Sequence, residues 1–263
     1  MDMTHRRIYP MRPGWTGVLL MAALLGSQTF GITPSEVLNR PDRLTHPVAI
    51  EVTKQPHYPQ MLVHDGVLKG YATFVISVDD SGNLEDYLMV EASEEEFGRS
   101  IENVIEDWEF TSAYFEGEYV PAVQAVRFDF RDTDTLVTLN GFTAVKVFFR
   151  DRFEKSEEID FRTYKLNELD FVPEPVEVVK PEISKDLSPK HERVHARYHL
   201  YIDPTGRVRV PVLKVIDGEI DEITLVLMEN ALKQWRFEPP QVNGKPVLSV
   251  AEQPVTFTVA SND

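Results

Sequence analysis

The chain has 263 residues, and its 27 basic and 43 acidic side chains give a formal net charge of −16. A surface this acidic repels phosphate backbones, which argues against nucleic-acid binding. Cysteine is absent, and this excludes disulfides, thiolate nucleophiles and cysteine-ligated metals. The length is sufficient for two small domains or for one larger domain.

The N-terminus has the layout of a secretory signal. Arg6, Arg7 and Arg12 precede an apolar run at 18–25, and small or polar residues follow up to Gly31. This order predicts export and cleavage after Gly31, so that 1–31 is a signal peptide and 32–54 a lead-in. An uncleaved inner-membrane anchor is the alternative, because no charged residue occurs from 13 to 35. The apolar run is shorter than the ~20 residues of a typical membrane-spanning helix.

Residues 55–130 predict one ββαβ module. Alternating apolar residues indicate three strands, at 71–78, 84–90 and 120–130. The sequence Asp79-Asp80-Ser81-Gly82 between the first two is typical of a tight turn. Ser93 and Glu96 form a predicted capping box. Behind them, an apolar stripe that ends at Trp108 predicts a helix laid on the hairpin.

Residues 181–260 repeat this order of elements. Apolar and polar residues alternate over 194–202, and Asp203-Pro204-Thr205-Gly206 repeats the turn. A second apolar helical stripe ends at Trp235, and its apolar residues match those of the first stripe at a constant offset along the chain. The predicted fold class is therefore α+β, with two small modules, each an antiparallel ββαβ sheet with one helix packed across it.

The connecting segment 131–180 is predicted to be partly structured, because it is rich in Phe, Leu and Val. Asn140-Gly141 is typical of a hairpin turn, here between Leu136 and Phe149. A helical face fits the same sequence equally well and would comprise Phe142, Val145, Phe149 and Phe153. The last part, 173–180, alternates proline, valine and charge, which predicts an extended connector.

Several motifs accompany this repeated order. The first copy has Gln55-Pro56-His57-Tyr58-Pro59, and the second has Trp235-Arg236-Phe237-Glu238-Pro239 and Gly244-Lys245-Pro246-Val247. Together with the turns, strands and helices, this set resembles the C-terminal domain of TonB-family energy transducers. The resemblance covers 55–130 and 181–259.

The resemblance implies a small periplasmic α+β domain that binds a short extended segment of an outer-membrane transporter. It also implies that the Gln-Pro-x-Tyr-Pro region and the edge of the last strand lie near this contact. The segment 32–54 is too short for the long proline-rich arm of a true energy transducer, so that role is an alternative. A structural or dimerising envelope component, in which the modules pair through their own sheet edges as a homodimer, is a further alternative.

The predicted partner site combines this resemblance with the topology. The last strand of a ββαβ module is expected to lie at a sheet edge, and an unpaired edge accepts an incoming strand. We therefore predict that an extended segment of an envelope or outer-membrane protein docks along 123–129. The predicted partner-binding residues are Gln55, Pro56, Tyr58, Pro59, Val123, Ala125 and Arg127. An edge already covered by 136–149 or by the second copy would exclude this docking and favour the structural role.

No motif indicates catalysis, a cofactor or a metal. The sequence lacks a Gly-x-Ser-x-Gly elbow, a phosphate-binding loop and a His-Glu-x-x-His motif. The residues around His195 and His199 alternate as in a strand, which places these two side chains ~13 Å apart, too far for one ion. His191 precedes His195 by the same number of residues, so it is also too far away to share an ion with it. The run Glu94-Glu95-Glu96 predicts a helix start and not a cation site. We expect a non-enzymatic, protein-binding chain without metal or cofactor.

Overall fold

The computed structural model describes residues 44–131, 140–144, 160–181, 193–218 and 222–258. All of them belong to one compact unit that spans 32–263. The predicted signal peptide at 1–31 lies outside the described residues, as does the lead-in up to residue 43. None of the helices within the described ranges is long and apolar enough to cross a membrane.

The first half of the unit is rich in strands. In chain order it forms β1 (Leu44–His46), β2 (Ala49–Glu51), α1 (Gln60–His64), β3 (Lys69–Val78), β4 (Leu84–Ala92), α2 (Glu95–Glu102), a 3-10 helix (Ile105–Asp107), β5 (Glu109–Thr111), β6 (Ala113–Phe115), β7 (Glu118–Val120), β8 (Ala122–Arg131) and β9 (Asn140–Ala144).

The second half begins in the connecting segment and continues with three long strands and a helix. In chain order it forms β10 (Phe161–Arg162), β11 (Tyr164–Lys165), a 3-10 helix (Leu166–Glu168), β12 (Pro175–Glu177), β13 (Arg193–Ile202), β14 (Val208–Asp217), α3 (Glu222–Leu232), β15 (Arg236–Phe237), β16 (Gln241–Val242), β17 (Lys245–Pro246) and β18 (Ser249–Thr258).

Two sheets dominate the fold. The first sheet has the strand order β10-β4-β3-β8-β9, and the second has the order β11-β18-β13-β14. In the first sheet β3 pairs with both β4 and β8, and in the second β13 pairs with both β14 and β18. These pairings are antiparallel, and β11 adds to β18 in parallel. Antiparallel sheets with few helices confirm the predicted α+β class.

The hairpin turns of the two sheets are built alike. Asp79 and Asp203 each accept, through Oδ1, the backbone N–H groups two and four positions later, at 2.7–3.0 Å. Gly82 and Gly206 close the turns at φ of +87° and +84°, where a side chain is strained. A Cβ on Gly206 would also lie 2.0 Å from the carbonyl oxygen of Phe237. Glycine is therefore required there by both conformation and packing.

One face of each sheet packs against a helix. Alternate residues of β3, from Ala72 to Val78, are buried beneath α2, which contributes Phe97 and Ile101. Alternate residues of β13, from Val194 to Ile202, are likewise buried beneath α3. The apolar side chains that α3 contributes are Leu225, Met228 and Leu232. Each buried side chain of this size contributes roughly 1.5–3 kcal/mol relative to an exposed one.

The other faces of the two sheets pack against each other. Val75 and Val123 of the first sheet join a cluster with Tyr201, Val210, Val212 and Leu248 of the second half. Arg209 crosses the same junction, where its guanidinium donates to the Asp86 carboxylate and, at 2.8 Å, to the Tyr87 carbonyl oxygen. The layers therefore run α2, first sheet, second sheet, α3. As a result, both faces of β3 are buried from Tyr71 to Val78.

The segments that precede the two hairpins are part of the fold. β2 pairs with β5, and β12 pairs with β15. The indole Nε1–H of Trp108 donates to the Lys54 carbonyl oxygen at 2.7 Å, and that of Trp235 donates to the Val179 carbonyl oxygen at 2.7 Å. The predicted connector 173–180 therefore contains a paired strand and an anchor for Trp235.

The predicted capping box at the start of α2 is wrong. The helix N-cap is Glu94, with no side-chain cap bond, and Ser93 Oγ instead accepts the backbone N–H of Tyr71 at 3.0 Å. Asp160, which comes after β9 in the chain, accepts the N–H of Glu95 at 3.3 Å. A residue of the connecting segment therefore accepts one of the free N–H groups at the start of this helix.

Candidate interaction surfaces

The last strand of the first half, β8, is not a free edge. It pairs with β3 on one side and with β9 on the other, where residues 123–127 face residues 144–140. The prediction that a partner segment docks along 123–129 is therefore wrong for 123–127, because the chain itself supplies the added strand there. Asn140-Gly141, predicted either as a turn or beside a helical face, lies within β9.

The side chains predicted for this edge are used for packing. Val123 and Ala125 are 6% and 3% exposed, and Val123 belongs to the cluster between the sheets. The Arg127 guanidinium lies 3.6 Å from the centre of the Tyr71 ring, and its Nε donates to Asp129 at 3.0 Å. These residues stabilise the first sheet and its junction with the second.

The segment 55–59 anchors the entry to α1. Tyr58 is buried, donates its hydroxyl to the Val67 carbonyl oxygen at 2.9 Å, and packs edge-on against Phe97. Pro56 is also buried and Pro59 is half-buried, which leaves Gln55 as the exposed member of the predicted set. The Tyr-Pro pair therefore has a core role here, and a partner-binding role for Gln55 stays a prediction.

In the second sheet, most of β18 has one strand neighbour. It pairs with β13 along its whole length, whereas β11 reaches only Ser249 and Val250. Within the described ranges, no strand pairs with the other side of 251–258. This stretch is the counterpart of β8, because Phe257 follows Trp235 at the same spacing as Phe130 follows Trp108.

The open side of β18 carries a proline. The N–H of Tyr164 in β11 donates to the Leu248 carbonyl oxygen at 2.9 Å, so this carbonyl points away from β13. The backbone N–H and C=O groups of successive strand residues face opposite sides of the strand, and the β13–β18 register is unbroken. The backbone groups of the even-numbered residues of β18 therefore also face away from β13. Pro254 is one of them and lacks an N–H. Proline at such a position weakens, but does not abolish, strand addition.

The outer edges of β4 and β14 are partly occupied or irregular. On β4, the Arg209 guanidinium donates to the Tyr87 carbonyl oxygen, and the Thr163 hydroxyl donates to the Val90 carbonyl oxygen at 2.9 Å. On β14 the register shifts around Val210, which has φ of +43°, and Pro211 follows it. Bulges and prolines are features with which proteins discourage edge pairing.

A cleft of about 870 Å³ opens beside β4 and is mostly acidic. The ionisable residues in its lining are Glu85, Asp86, Tyr87, Glu106, Glu109 and Arg209. The Tyr87 hydroxyl donates to Glu106 at 2.9 Å, and burial together with this carboxylate raises the pKa of Tyr87 to about 12. The excess of carboxylates means that the cleft favours cationic over anionic groups.

The histidines do not assemble a metal site in the part of the chain that the structure describes. His195 and His199 lie on β13, as the alternation predicts, and His191 is outside the described residues. His199 is buried, and its burial and the nearby Lys214 lower its pKa to about 3 against an opposing effect of Glu252. A neutral, buried imidazole next to a lysine is a packing group of the second sheet.

One acidic cluster is not evident from the sequence. Carboxylate oxygens of Glu94, Glu96 and Asp160 lie within 4.8 Å of one another. Asp160 is far from the other two along the chain, so only the folded chain brings them together. Asp160 already accepts a helix N–H, and the cluster is explained by this contact at the start of α2.

No protein-family model matches this chain, and no curated protein matches it.

Proposed function

We propose that the chain is an exported, non-enzymatic component of the cell envelope, made of two TonB C-terminal-like ββαβ modules. In this proposal the modules are fused back to back into one rigid unit whose role is structural. The observation that carries it is that the two sheets bury their inner faces against each other, together with the pairing of β9 along the edge of β8. A transporter-binding module needs an open edge, and β9 takes that edge on β8, which suits a structural component.

The duplication is supported by contacts that recur in both halves. Each tryptophan donates its indole N–H to the segment that precedes its hairpin, and each of these segments pairs with the strand after the tryptophan. The tight hairpins β6–β7 and β16–β17 also correspond, because Glu116-Gly117 and Asn243-Gly244 both have positive φ. Such matched local contacts are expected of two copies of one module.

Strand addition is the second candidate function. It is favoured by the side of 251–258 that faces away from β13, with which no strand of the described ranges pairs. An extended segment of an envelope protein would pair with β18 as an added strand, just as β9 pairs with β8 in the first sheet. The outward N–H groups of Glu252 and Thr256 flank Pro254 and would supply the donors. Each main-chain bond would contribute about 0.5–1.5 kcal/mol net.

The two candidates separate in an affinity capture from envelope extract. Replacing Thr256 with proline removes one outward donor of β18 and leaves its bonds to β13 in place. If strand addition is the function, we expect capture of the partner to weaken about tenfold, the effect of losing ~1.4 kcal/mol. The matched control is Thr256→Ala, which loses the same hydroxyl but keeps the N–H.

The same capture experiment can also exclude strand addition. Equal capture by wild type, Thr256→Pro and Thr256→Ala excludes strand addition along β18 and leaves the structural role. Val255→Pro serves as a fold control, because an odd-numbered residue of β18 points its N–H toward β13. That variant should be destabilised, whereas Thr256→Pro should keep its melting temperature within a few degrees.

Export is tested separately. If 1–31 is a cleaved signal, the protein recovered from the periplasmic fraction begins at Ile32, as intact mass would show. Recovery with the inner membrane at the mass of a chain starting at Met1 would contradict cleavage. It would favour the anchored alternative, including the energy-transducer role.

A further inference from the structure

The cleft beside β4 has the dimensions of a ligand-binding pocket. Its volume of about 870 Å³ lies within the roughly 300–1,000 Å³ of typical ligand sites. Its walls are formed by 82–87, by 106 and 108–110, and by Arg209 of β14. Tyr87, Trp108 and Phe110 are the aromatic residues among them. A concave site that combines aromatic residues with a few converging polar groups is the usual form of a binding pocket.

Negative charge in this cleft is only partly neutralised by the protein itself. Four carboxylates line the cleft against one guanidinium. In the part of the chain that the structure describes, Glu106 and Glu109 form no ion pair, although Glu106 accepts the Tyr87 hydroxyl at 2.9 Å. Burial, this bond and the charges of Glu106 and Glu102 raise the pKa of Tyr87 to about 12, against an opposing effect of Arg209. The phenol stays protonated, and the cleft keeps an excess of negative charge that a bound cation would offset.

The fold does not require acidic side chains at these positions. The two halves align on their turn glycines and on their tryptophans. In this alignment three pairs of corresponding positions carry opposite charges, namely Glu85 and Arg209, Glu106 and Lys233, and Glu109 and Arg236. Each half therefore accepts its own sign of charge on the same plan of strands and helix, and the acidic wall is a feature of the first half alone.

Basic groups of the second half already contact one side of the cleft. Arg209 donates to both oxygens of the Asp86 carboxylate and to the Tyr87 carbonyl oxygen. The Lys233 ammonium lies 4.0 Å from the Glu85 carboxylate. These contacts show which groups the acidic wall accepts, a guanidinium and an ammonium. The two remaining carboxylates of the wall offer the same chemistry to a ligand from outside the chain.

We propose that the cleft binds an extended basic segment of another protein, whose arginine or lysine side chains pair with Glu106 and Glu109. A volume near the upper end of the range for ligand pockets suits a peptide segment better than a single small cation. The apolar stems of arginine and lysine pack against aromatic residues, which this wall contains. The net charge of −16 also speeds the approach of a basic partner. The proposal does not rest on either candidate function, because it uses the first half and Arg209 and not β18.

Isothermal titration calorimetry tests the affinity and its dependence on charge. The titrant is a short peptide of alternating arginine and serine, and the same peptide with glutamate in place of arginine is its control. We expect the wild-type full chain to bind only the arginine peptide, and more weakly as salt is added. The double variant Glu106→Lys, Glu109→Arg carries the residues of the second half, and should bind at least about tenfold more weakly with a melting temperature within a few degrees of wild type. Absence of binding to wild type at low salt would overturn the proposal.

A matched control separates the cleft from the overall charge. Glu118→Lys together with Glu177→Lys makes the same change in net charge at two exposed carboxylates that do not line the cleft. This variant should bind the arginine peptide within about threefold of wild type. An equal loss in the two double variants would mean that only net charge matters, and the proposal would fail. Binding of spermidine without binding of the arginine peptide would show a site for small polyamines, and would contradict it as well.

Zero-length crosslinking locates the bound peptide. A carbodiimide joins a lysine of the corresponding lysine–serine peptide to a carboxylate in contact with it, and mass spectrometry of the digest identifies that carboxylate. We expect crosslinks at Glu106 or Glu109 to predominate over those at Glu118 and Glu177. Crosslinks spread evenly over the exposed carboxylates would show that the peptide does not occupy the cleft.

Discussion

Replacing Tyr201 with alanine is expected to lower the free energy of unfolding by about 3–5 kcal/mol, the range for deleting a buried aromatic ring. Among the described residues, Tyr201 is the one buried aromatic member of the cluster that joins the two sheets, with 7% of its surface exposed. Its neighbours there include Val75 and Val123 from the first sheet and Val212 and Leu248 from the second half. The lost ring would leave a cavity bounded by both sheets, which neither sheet alone can close.

The variant also tests whether the two halves unfold as one unit. Trp108 and Trp235 report on the first and second halves, so urea unfolding followed by fluorescence should show one transition in the wild type. In Tyr201→Ala the transition should broaden or split, because the junction then depends on the remaining aliphatic side chains and on Arg209 with Asp86. A single sharp transition with less than about 1 kcal/mol lost would contradict the central role of Tyr201.

Two controls separate the ring from a general effect of substitution. Tyr201→Phe keeps the ring and the packing volume, so it should lose less than about 1.5 kcal/mol. Tyr119→Ala removes a tyrosine that is 57% exposed, and the expected change is within about 0.5 kcal/mol. The contrast between Tyr201 and Tyr119 isolates the effect of burial between the sheets.

Local patterns in the sequence predicted the elements of the fold but not their assembly. The alternation over β13 and the aspartate turns appear as predicted, because side-chain period and turn chemistry act over a few residues. The second buried face of β3 was not predicted, although Val75 is as apolar as Phe74. Which sheet covers Val75 is decided by packing against residues of the second half, far away along the chain.

The predicted binding edge failed for a related reason. A ββαβ order does place its last strand beside the first, and β8 does pair with β3. The sequence pattern of the five residues of β9 is too weak to predict a further strand, and Asn140-Gly141 predicted a turn instead. Pairing of a short distant segment is non-local, so the sequence could identify β8 as a strand without revealing its second neighbour.

Lowering the pH from 7 to 5 is expected to cost the fold about 2 kcal/mol through His199. This side chain is 7% exposed on β13, and burial and Lys214 lower its pKa from 6.5 to about 3. In the unfolded chain the His199 imidazole therefore binds a proton near pH 6.5, whereas in the folded chain it does so only near pH 3. Stability is fully present above pH 6.5 and falls as the pH drops from there toward 3, by ~1.4 kcal/mol per pH unit.

The groups around His199 sharpen the test. Lys214 on β14 opposes a second positive charge, whereas Glu252 on β18 favours one, and the Tyr201 ring lies edge-on at 5.2 Å. The hydrogen bond from Lys214 lowers the pKa of Glu252, which moves its titration toward lower pH and away from that of the imidazole. The pH interval from 7 to 5 therefore reports mainly on the imidazole.

Urea unfolding at pH 7 and pH 5 measures the difference, with His199→Gln as the variant that cannot titrate. The variant loses some packing at both pH values, but its stability should change between them by about 2 kcal/mol less than that of wild type. His195→Gln is the matched control, because His195 lies on the same strand with its ring exposed. Its pH dependence should follow wild type. If His199→Gln keeps the full wild-type loss between pH 7 and 5, the imidazole is not the group that makes the junction sensitive to acid.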